Sequence, residues 1–153
     1  AGALDLEARA EAIGRTPAQI VTIASLLEAE GKPEDFAKVS RVVYNRLAAG
    51  MPLQFDSTVN FVLNRSTIAV SIEDTKVDSP YNTYANKGLP PGPIGSPGEA
   101  ALQAALAPED GDWLYFVTVN PSTGEVYASA PNSSAGPTIA VKSAEMTSLL
   151  GPS

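Results

Sequence analysis

Two helical segments joined by a very short turn constrain the fold of this chain more than any other feature. Residues 16–19 (TPAQ) combine a Thr N-cap, a Pro at the first helical position and a Gln three residues after the cap. This is the signature of a capping box, and it predicts a helix from about 17 to 30 that ends at Gly31. A second helix begins after Pro33 and ends at Gly50. Because the turn between them is so short, the two helices are expected to pack against each other.

Apolar residues in both segments recur at the i, i+3, i+4, i+7 spacing of a buried helix face. In the first helix these are Ile20, Ile23, Ala24 and Leu27, and in the second they are Phe36, Val39, Val43 and Leu47. Each helix is therefore expected to bury one face in a shared core.

Shorter elements are predicted in the rest of the chain. They are a helical lead-in at 4–13, a short helix near 58–64, a helix over about 97–107 that opens with a second capping box at 96–99, strands at 113–119 and 125–130, and a final helix at 138–150. The two strands form a hairpin. This order predicts an α+β fold, in one domain of packed helices with a small β-hairpin or sheet. Residues 1–15 are the lead-in, and residues 16–153 are the main domain.

Residues 80–97 are rich in Pro and Gly, and they also contain Tyr81, Tyr84, Leu89 and Ile94. A flexible surface linker would carry Ser and Lys instead of these side chains, so a rigid, ordered loop is predicted. Its prolines lack the N–H donors that a phosphate cradle requires. The loop is therefore better suited to form the wall of a groove.

Composition excludes several kinds of chemistry. The chain contains no Cys and no His, which excludes thiol nucleophiles and His-dependent triads. Acid–base catalysis would fall to Asp, Glu, Lys or Tyr, and neither a metal site nor a cofactor is expected. The net charge of −7 argues against nucleic acid and against an anionic membrane surface as partners. No run of 18 apolar residues is present.

Glu28 and Glu30 end the first predicted helix on opposite sides of its apolar stripe, about 200° apart on a helical wheel. They cannot act as an adjacent pair on one substrate atom. Glu30 lies at the negative end of the helix beside Ile23 and Leu26, and both features raise the pKa of a carboxyl group. A Glu with a raised pKa suits a general acid. The alternative is a solvated Glu at a frayed helix end.

Other polar residues leave two interpretations open. Asp56 is either a second carboxylate of the site or the N-cap of the short helix that follows it. Arg46 is expected to form a salt bridge with a Glu of the first helix. The polar and aromatic run Tyr81, Asn82, Thr83 and Tyr84 suits the hydroxyl edges and C–H faces of sugar rings. The same run also fits a turn with two half-buried tyrosines.

Several motifs together resemble one family. In chain order they are ASLLEAE at 24–30, VYNRL at 43–47, GMPLQFDSTV at 50–59, SPYNTY at 79–84, GLPPGPI at 88–94, SPG at 96–98 and YFV at 115–117. Over about residues 16–130 this ordered set resembles the YceG-like (MltG) endolytic murein transglycosylases. The family usually has a His in the region of 124–128, where this sequence reads GEVYA.

The resemblance implies an endolytic lytic transglycosylase that cleaves the bond between N-acetylmuramic acid and N-acetylglucosamine in nascent glycan strands. It also implies 1,6-anhydromuramoyl ends, with Glu30 as a single general acid and base. Residues expected to hold sugar or to orient Glu30 are Glu28, Gln54, Asp56, Ser57, Thr58, Tyr81, Asn82, Thr83 and Tyr84.

The resemblance further implies a location and partners. The expected location is the extracytoplasmic face of the bacterial membrane, held there by an N-terminal anchor that this sequence lacks. The expected partners are peptidoglycan strands, with penicillin-binding synthases as further candidates.

The alternative function is a non-catalytic peptidoglycan-binding scaffold of the cell-wall synthesis machinery. Hydrolysis and pyridoxal-phosphate chemistry are two further alternatives, and no lysine stands beside a Gly-rich phosphate cup.

Overall fold

The structure, a computed structural model, describes residues 5–64, 71–119, 126–128 and 138–142. The helices are α1 (Leu6–Ala12), α2 (Pro17–Glu30), α3 (Phe36–Ala49), α4 (Asp56–Val62) and α5 (Glu99–Leu106), and the strands are β1 (Tyr115–Val119), β2 (Val126–Ala128) and β3 (Thr138–Lys142). Short 3-10 turns lie at Pro33–Asp35 and Asp74–Lys76. Helices α1, α2, α3 and α5 share one apolar core, so the predicted body of packed helices is confirmed.

Helix α2 lies at the centre of this body. Its capping box is present, because the Thr16 hydroxyl accepts the N–H of Gln19 and the Gln19 side chain accepts the N–H of Thr16. All four residues of the predicted apolar stripe are buried, and so are the polar residues Thr22 and Ser25. A helix that is covered on so many sides has little amphipathic character. It ends at Gly31 as predicted, although Gly31 is extended (φ −147°).

Residues 88–98, here called the strap, run along one side of α2. The backbone N–H of Ile94 donates to the Ser25 hydroxyl at 3.0 Å, and the N–H of Gly98 donates to the Glu28 carboxylate at 3.0 Å. Ser25 and Glu28 are three residues apart and so share a helix side. The strap therefore follows α2 towards its C-terminal end.

The start of α5 differs from the sequence prediction. The N-cap is Gly98, without a side-chain cap of its own, so the capping box expected at 96–99 is wrong. The Glu28 carboxylate accepts the Gly98 N–H instead. A residue from another helix thus binds the cap residue of α5, which a local rule cannot predict.

The strands pair around β1. β2 is antiparallel to β1, and β3 is parallel to it, in the order β2-β1-β3. The helix predicted at 138–150 is wrong for Thr138–Lys142, which form β3, and residues 143–150 lie outside the described residues. Thr138, Ile139 and Val141 are β-branched, and such side chains favour strands once a partner strand is available.

Over the described ranges, no helix has the length and apolar character needed to cross a membrane.

Replacing Thr16 with Ala should destabilise the protein by about 1 kcal/mol, because the N–H of Gln19 loses its acceptor. Urea denaturation followed by circular dichroism measures this change. Thr16→Ser keeps the hydroxyl and should recover most of the stability. Equal midpoints for Thr16→Ala and the wild type would show that the cap contributes nothing.

Candidate active site

Arg46, in the last turn of α3, is fully buried beside the site. Its Nε donates to the Leu114 carbonyl at 2.6 Å, and its Nη1 donates to the Leu53 carbonyl. The guanidinium also lies 5.4 Å from the centre of the Tyr115 ring. Burial lowers the pKa of Arg46, whereas the negative charge of Glu30 is among the influences that raise it. Arg46 therefore ties three segments together and acts electrostatically on Glu30.

Glu30 is the last residue of α2, and its side chain is only 7% exposed. Its Oε2 accepts the backbone N–H of Ser57 at 3.1 Å. Ser57 lies in the first turn of α4, so the end of one helix meets the beginning of another at this carboxylate. The alternative interpretation, a solvated Glu at a frayed end, is wrong because Glu30 is buried and bonded.

Glu28 lies elsewhere. It is exposed, and its carboxylate accepts the N–H of Gly98 at the start of α5. This agrees with the wheel argument, which placed Glu28 and Glu30 on opposite sides of α2. In this structure Glu28 connects α2 to the strap, and Glu30 faces α4.

Asp56 occupies the first helical position of α4, and the N-cap is Phe55. The interpretation of Asp56 as the N-cap is therefore wrong. Its carboxylate accepts the hydroxyl of Tyr84 instead. Burial raises the pKa of Asp56, and the Tyr84 hydrogen bond opposes that shift. Burial, followed by the hydrogen bond and charge of Asp56, also raises the pKa of Tyr84.

A buried network connects the entry of α4 to the loop at 82–84. The Phe55 N–H donates to the Thr83 hydroxyl at 2.8 Å, and the Thr83 and Thr58 hydroxyls are 2.9 Å apart. The Thr58 hydroxyl donates to the Phe55 carbonyl at 2.7 Å. Gln54, at a positive φ of 57°, donates its backbone N–H to the Thr83 carbonyl. Thr58 and Thr83 thus belong to the buried hydrogen-bond network that holds α4 against the loop at 82–84, although the sequence analysis placed them with the sugar-holding residues.

Asn82 also holds this loop in place. It is fully buried, and its Nδ2 donates to the carbonyls of Thr75 and Val77 at 2.9 and 2.8 Å. Its Oδ1 accepts the N–H of Tyr84 at 2.9 Å. These bonds hold the backbone that carries Tyr84. Tyr81, in the same loop, packs its ring against Phe61 of α4.

The structure brings together Glu30, Asp56, Ser57, Tyr84 and Arg46. Sequence reasoning did not anticipate that Ser57 would act through its backbone N–H, or that Arg46 would bind backbone carbonyls, because neither contact has a sequence signature. In the described part of the chain, no group of three or more Asp or Glu residues is arranged to hold a metal ion.

A separate cavity of about 450 Å³ lies near the beginning of α2. It is lined by α2 and strap residues, with Arg15 and Leu47 completing the wall. Gln19, which lines it, precedes Glu30 by eleven residues, or about 16 Å along a helix. This cavity is therefore distinct from the site at Glu30.

Residues 3–132 match the model of the YceG-like family. The chain belongs to the YceG-like family. Among solved structures, this YceG-like chain is similar to a YceG-like protein of Listeria monocytogenes, with a TM-score of 0.72 and 39% identity. That match covers 81% of this chain and 40% of the Listeria chain.

Two curated relatives are named endolytic murein transglycosylase. The protein from Bacillus subtilis (strain 168) is 45% identical over 109 residues, which cover 71% of this YceG-like chain and 30% of the relative. The protein from Streptococcus pneumoniae serotype 2 (strain D39) is 40% identical over 115 residues, covering 71% of this chain and 21% of the relative. The chain thus spans less than a third of the length of these relatives.

Tyr84→Phe should raise the pKa of Asp56, because the hydroxyl that Tyr84 donates stabilises the charged carboxylate. The Asp56 carboxyl resonance, followed by NMR against pH, measures the shift. With a folded-state pKa above the unfolded value, Asp56 binds its proton more tightly when folded. Its contribution to stability is therefore lost as pH rises through the raised pKa. In Tyr84→Phe the loss of stability should therefore continue to a higher pH than in the wild type. An unchanged Asp56 titration would show that the Tyr84 hydroxyl does not stabilise the Asp56 carboxylate.

Proposed function

We propose that this chain carries an endolytic peptidoglycan lytic transglycosylase activity with Glu30 as its general acid and base. The observation that carries the proposal is the buried Glu30 carboxylate held by the Ser57 N–H. It lies in a YceG-like domain whose relatives are named endolytic murein transglycosylases. The proposed substrate is the glycan strand of peptidoglycan, cleaved between N-acetylmuramic acid and N-acetylglucosamine.

In the first step, Glu30 donates a proton to the glycosidic oxygen as the C–O bond breaks. The Ser57 N–H occupies a lone pair of Oε2, so the acid proton resides on Oε1. The N-acetyl group of the muramoyl residue stabilises the positive charge that develops on the sugar.

In the second step, the Glu30 carboxylate takes the proton of the C6 hydroxyl, and the C6 oxygen bonds to C1. The ring that closes is a 1,6-anhydro sugar, and no water is consumed. Glu30 is protonated again at the end of the cycle. The Ser57 N–H and the positive charge of Arg46 both stabilise the carboxylate between the two steps.

The groups around Glu30 suit sugar binding. Asp56 and Tyr84 offer an acceptor and an aromatic face beside the carboxylate, and we assign Gln54 and Tyr81 to the same groove. In this proposal the strap, which Glu28 holds in place, supports the groove from behind through the contact of Gly92 with the Tyr81 hydroxyl. Residues 16–153 form the catalytic unit, at the extracytoplasmic face of the membrane, where penicillin-binding synthases are candidate partners.

Hydrolysis is a second candidate, because Asp56 brings another partly buried carboxylate close to the Glu30 contact. Glycosidases use two carboxyl groups, and water is then the nucleophile. Mass spectrometry of digested peptidoglycan separates the two reactions, since hydrolysis adds a water molecule and anhydro-ring formation does not. Binding without any new ends would identify a scaffold module instead.

Glu30→Gln should reduce glycan cleavage by about 100-fold or more, because the amide keeps the size of the side chain and cannot donate an acid proton. The assay measures anhydro ends released from purified peptidoglycan. Glu28→Gln is the matched control, since its amide oxygen still accepts the Gly98 N–H. Near-wild-type turnover by Glu30→Gln would eliminate Glu30 as the acid.

The rate should decrease as pH rises through the pKa of Glu30, because the protonated acid is then lost. With no His in the chain, no imidazole contributes to this profile near neutral pH. The measurement pairs kcat/KM against pH with NMR titration of the Glu30 carboxyl. Full activity at a pH where Glu30 is completely ionised would contradict a general-acid role.

A further inference from the structure

Phe61 and Tyr81 form a pair of aromatic rings beside the site, in which Phe61 is exposed and Tyr81 is half-buried. Phe61, on α4, is 43% exposed, which is unusual for a residue of this size and hydrophobicity. Its ring centre is 5.0 Å from that of Tyr81, and the ring planes are tilted by 45°. The Tyr81 hydroxyl lies against Gly92 of the strap, 3.2 Å from the position that a Cβ would occupy there.

The position of Phe61 relative to Glu30 is set by its place on α4, the helix whose first turn binds Glu30. Phe61 follows Ser57 by four residues on α4, and residues four apart lie on the same helix face, one turn along the axis. Ser57 itself donates its N–H to Glu30. Phe61 therefore lies about 6 Å along the α4 axis from Ser57, the residue whose backbone N–H binds the proposed acid. This offset suits a sugar adjacent to the one whose bond is cleaved.

We propose that Phe61 and Tyr81 form a platform on which one sugar ring of the glycan strand stacks, next to the cleavage site. This inference rests on the proposed function, and it identifies Phe61 as a substrate-binding residue. Sugar rings present C–H faces that pack on aromatic rings, and this contact needs no charge.

A purely structural role for Phe61 is the competing explanation, because the ring also holds the loop at 81–84 against α4. The two explanations differ in which substitutions they tolerate. Packing needs apolar volume, which Leu supplies, whereas stacking needs a flat ring, which Tyr supplies. Ile13 is a matched control for the loss of an exposed apolar side chain, since it is 42% exposed on a different helix end.

The test measures binding without turnover, using uncrosslinked murein glycan strands and protein that carries Glu30→Gln. In that background, Phe61→Ala and Phe61→Leu should each weaken binding by about tenfold, the scale of one aromatic contact. Phe61→Tyr and Ile13→Ala should bind within about twofold of the parent, with urea midpoints reported for every variant. Equal affinity for Phe61→Ala and Ile13→Ala, or full binding by Phe61→Leu, would overturn the platform.

Kinetics of the protein with Glu30 intact separate this inference from the proposed function. Phe61→Ala should raise KM and leave kcat within about twofold, because a stacked sugar is held equally in the ground and transition states. If the wild type makes anhydro ends and Phe61→Ala has an unchanged KM, the stacking platform is wrong and the transglycosylase proposal is kept. If glycan binding depends on Phe61 and no variant cleaves, the platform stands and the transglycosylase proposal fails.

Discussion

The buried guanidinium of Arg46 is the contact on which the arrangement around Glu30 depends. A cation without water is costly unless its donors are satisfied, and this one satisfies two of them with the Leu53 and Leu114 carbonyls. These bonds link the end of α3 to the segment that leads into α4 and to the segment that leads into β1. The third terminus, Nη2, has no hydrogen-bond partner among the described residues. The positive charge of the guanidinium acts on the Glu30 carboxylate, which in turn is among the influences that raise the pKa of Arg46.

The site is built from the interior of the domain. Glu30 belongs to α2, the most enclosed helix, and its partner Ser57 lies in the first turn of α4. The Thr58 and Thr83 hydroxyls fix the position of α4. A carboxylate held between two packed helices cannot adapt its position as a loop residue can. Such preorganisation favours catalysis, because the geometry is set before the substrate binds. Substitutions in the core beneath it will therefore affect position as well as stability.

Local rules were sufficient to predict α2 and α3, because caps and apolar periodicity involve residues only a few positions apart. The predictions failed where distant residues decide the outcome. Residues 138–142 form a strand because β1 pairs with them, and Asp56 binds Tyr84, 28 residues away, in place of capping its own helix. Helix position and apolar neighbours marked Glu30 as a candidate in the sequence, and its proposed role as the acid came from the family resemblance. The backbone N–H that holds it could not, because every residue except Pro has one.

The strap has a consequence for how the chain reaches its native state. The bonds from Ile94 to Ser25 and from Gly98 to Glu28 join residues 69 and 70 positions apart. During synthesis, α2 emerges long before the segment that covers it, so its apolar surface is exposed to solvent and to other chains in the meantime. Contacts of such long range slow folding, because loop closure precedes the gain from packing. The helix that carries the proposed acid therefore stays partly uncovered until the strap has been made, and this interval is when aggregation or chaperone binding would compete with folding.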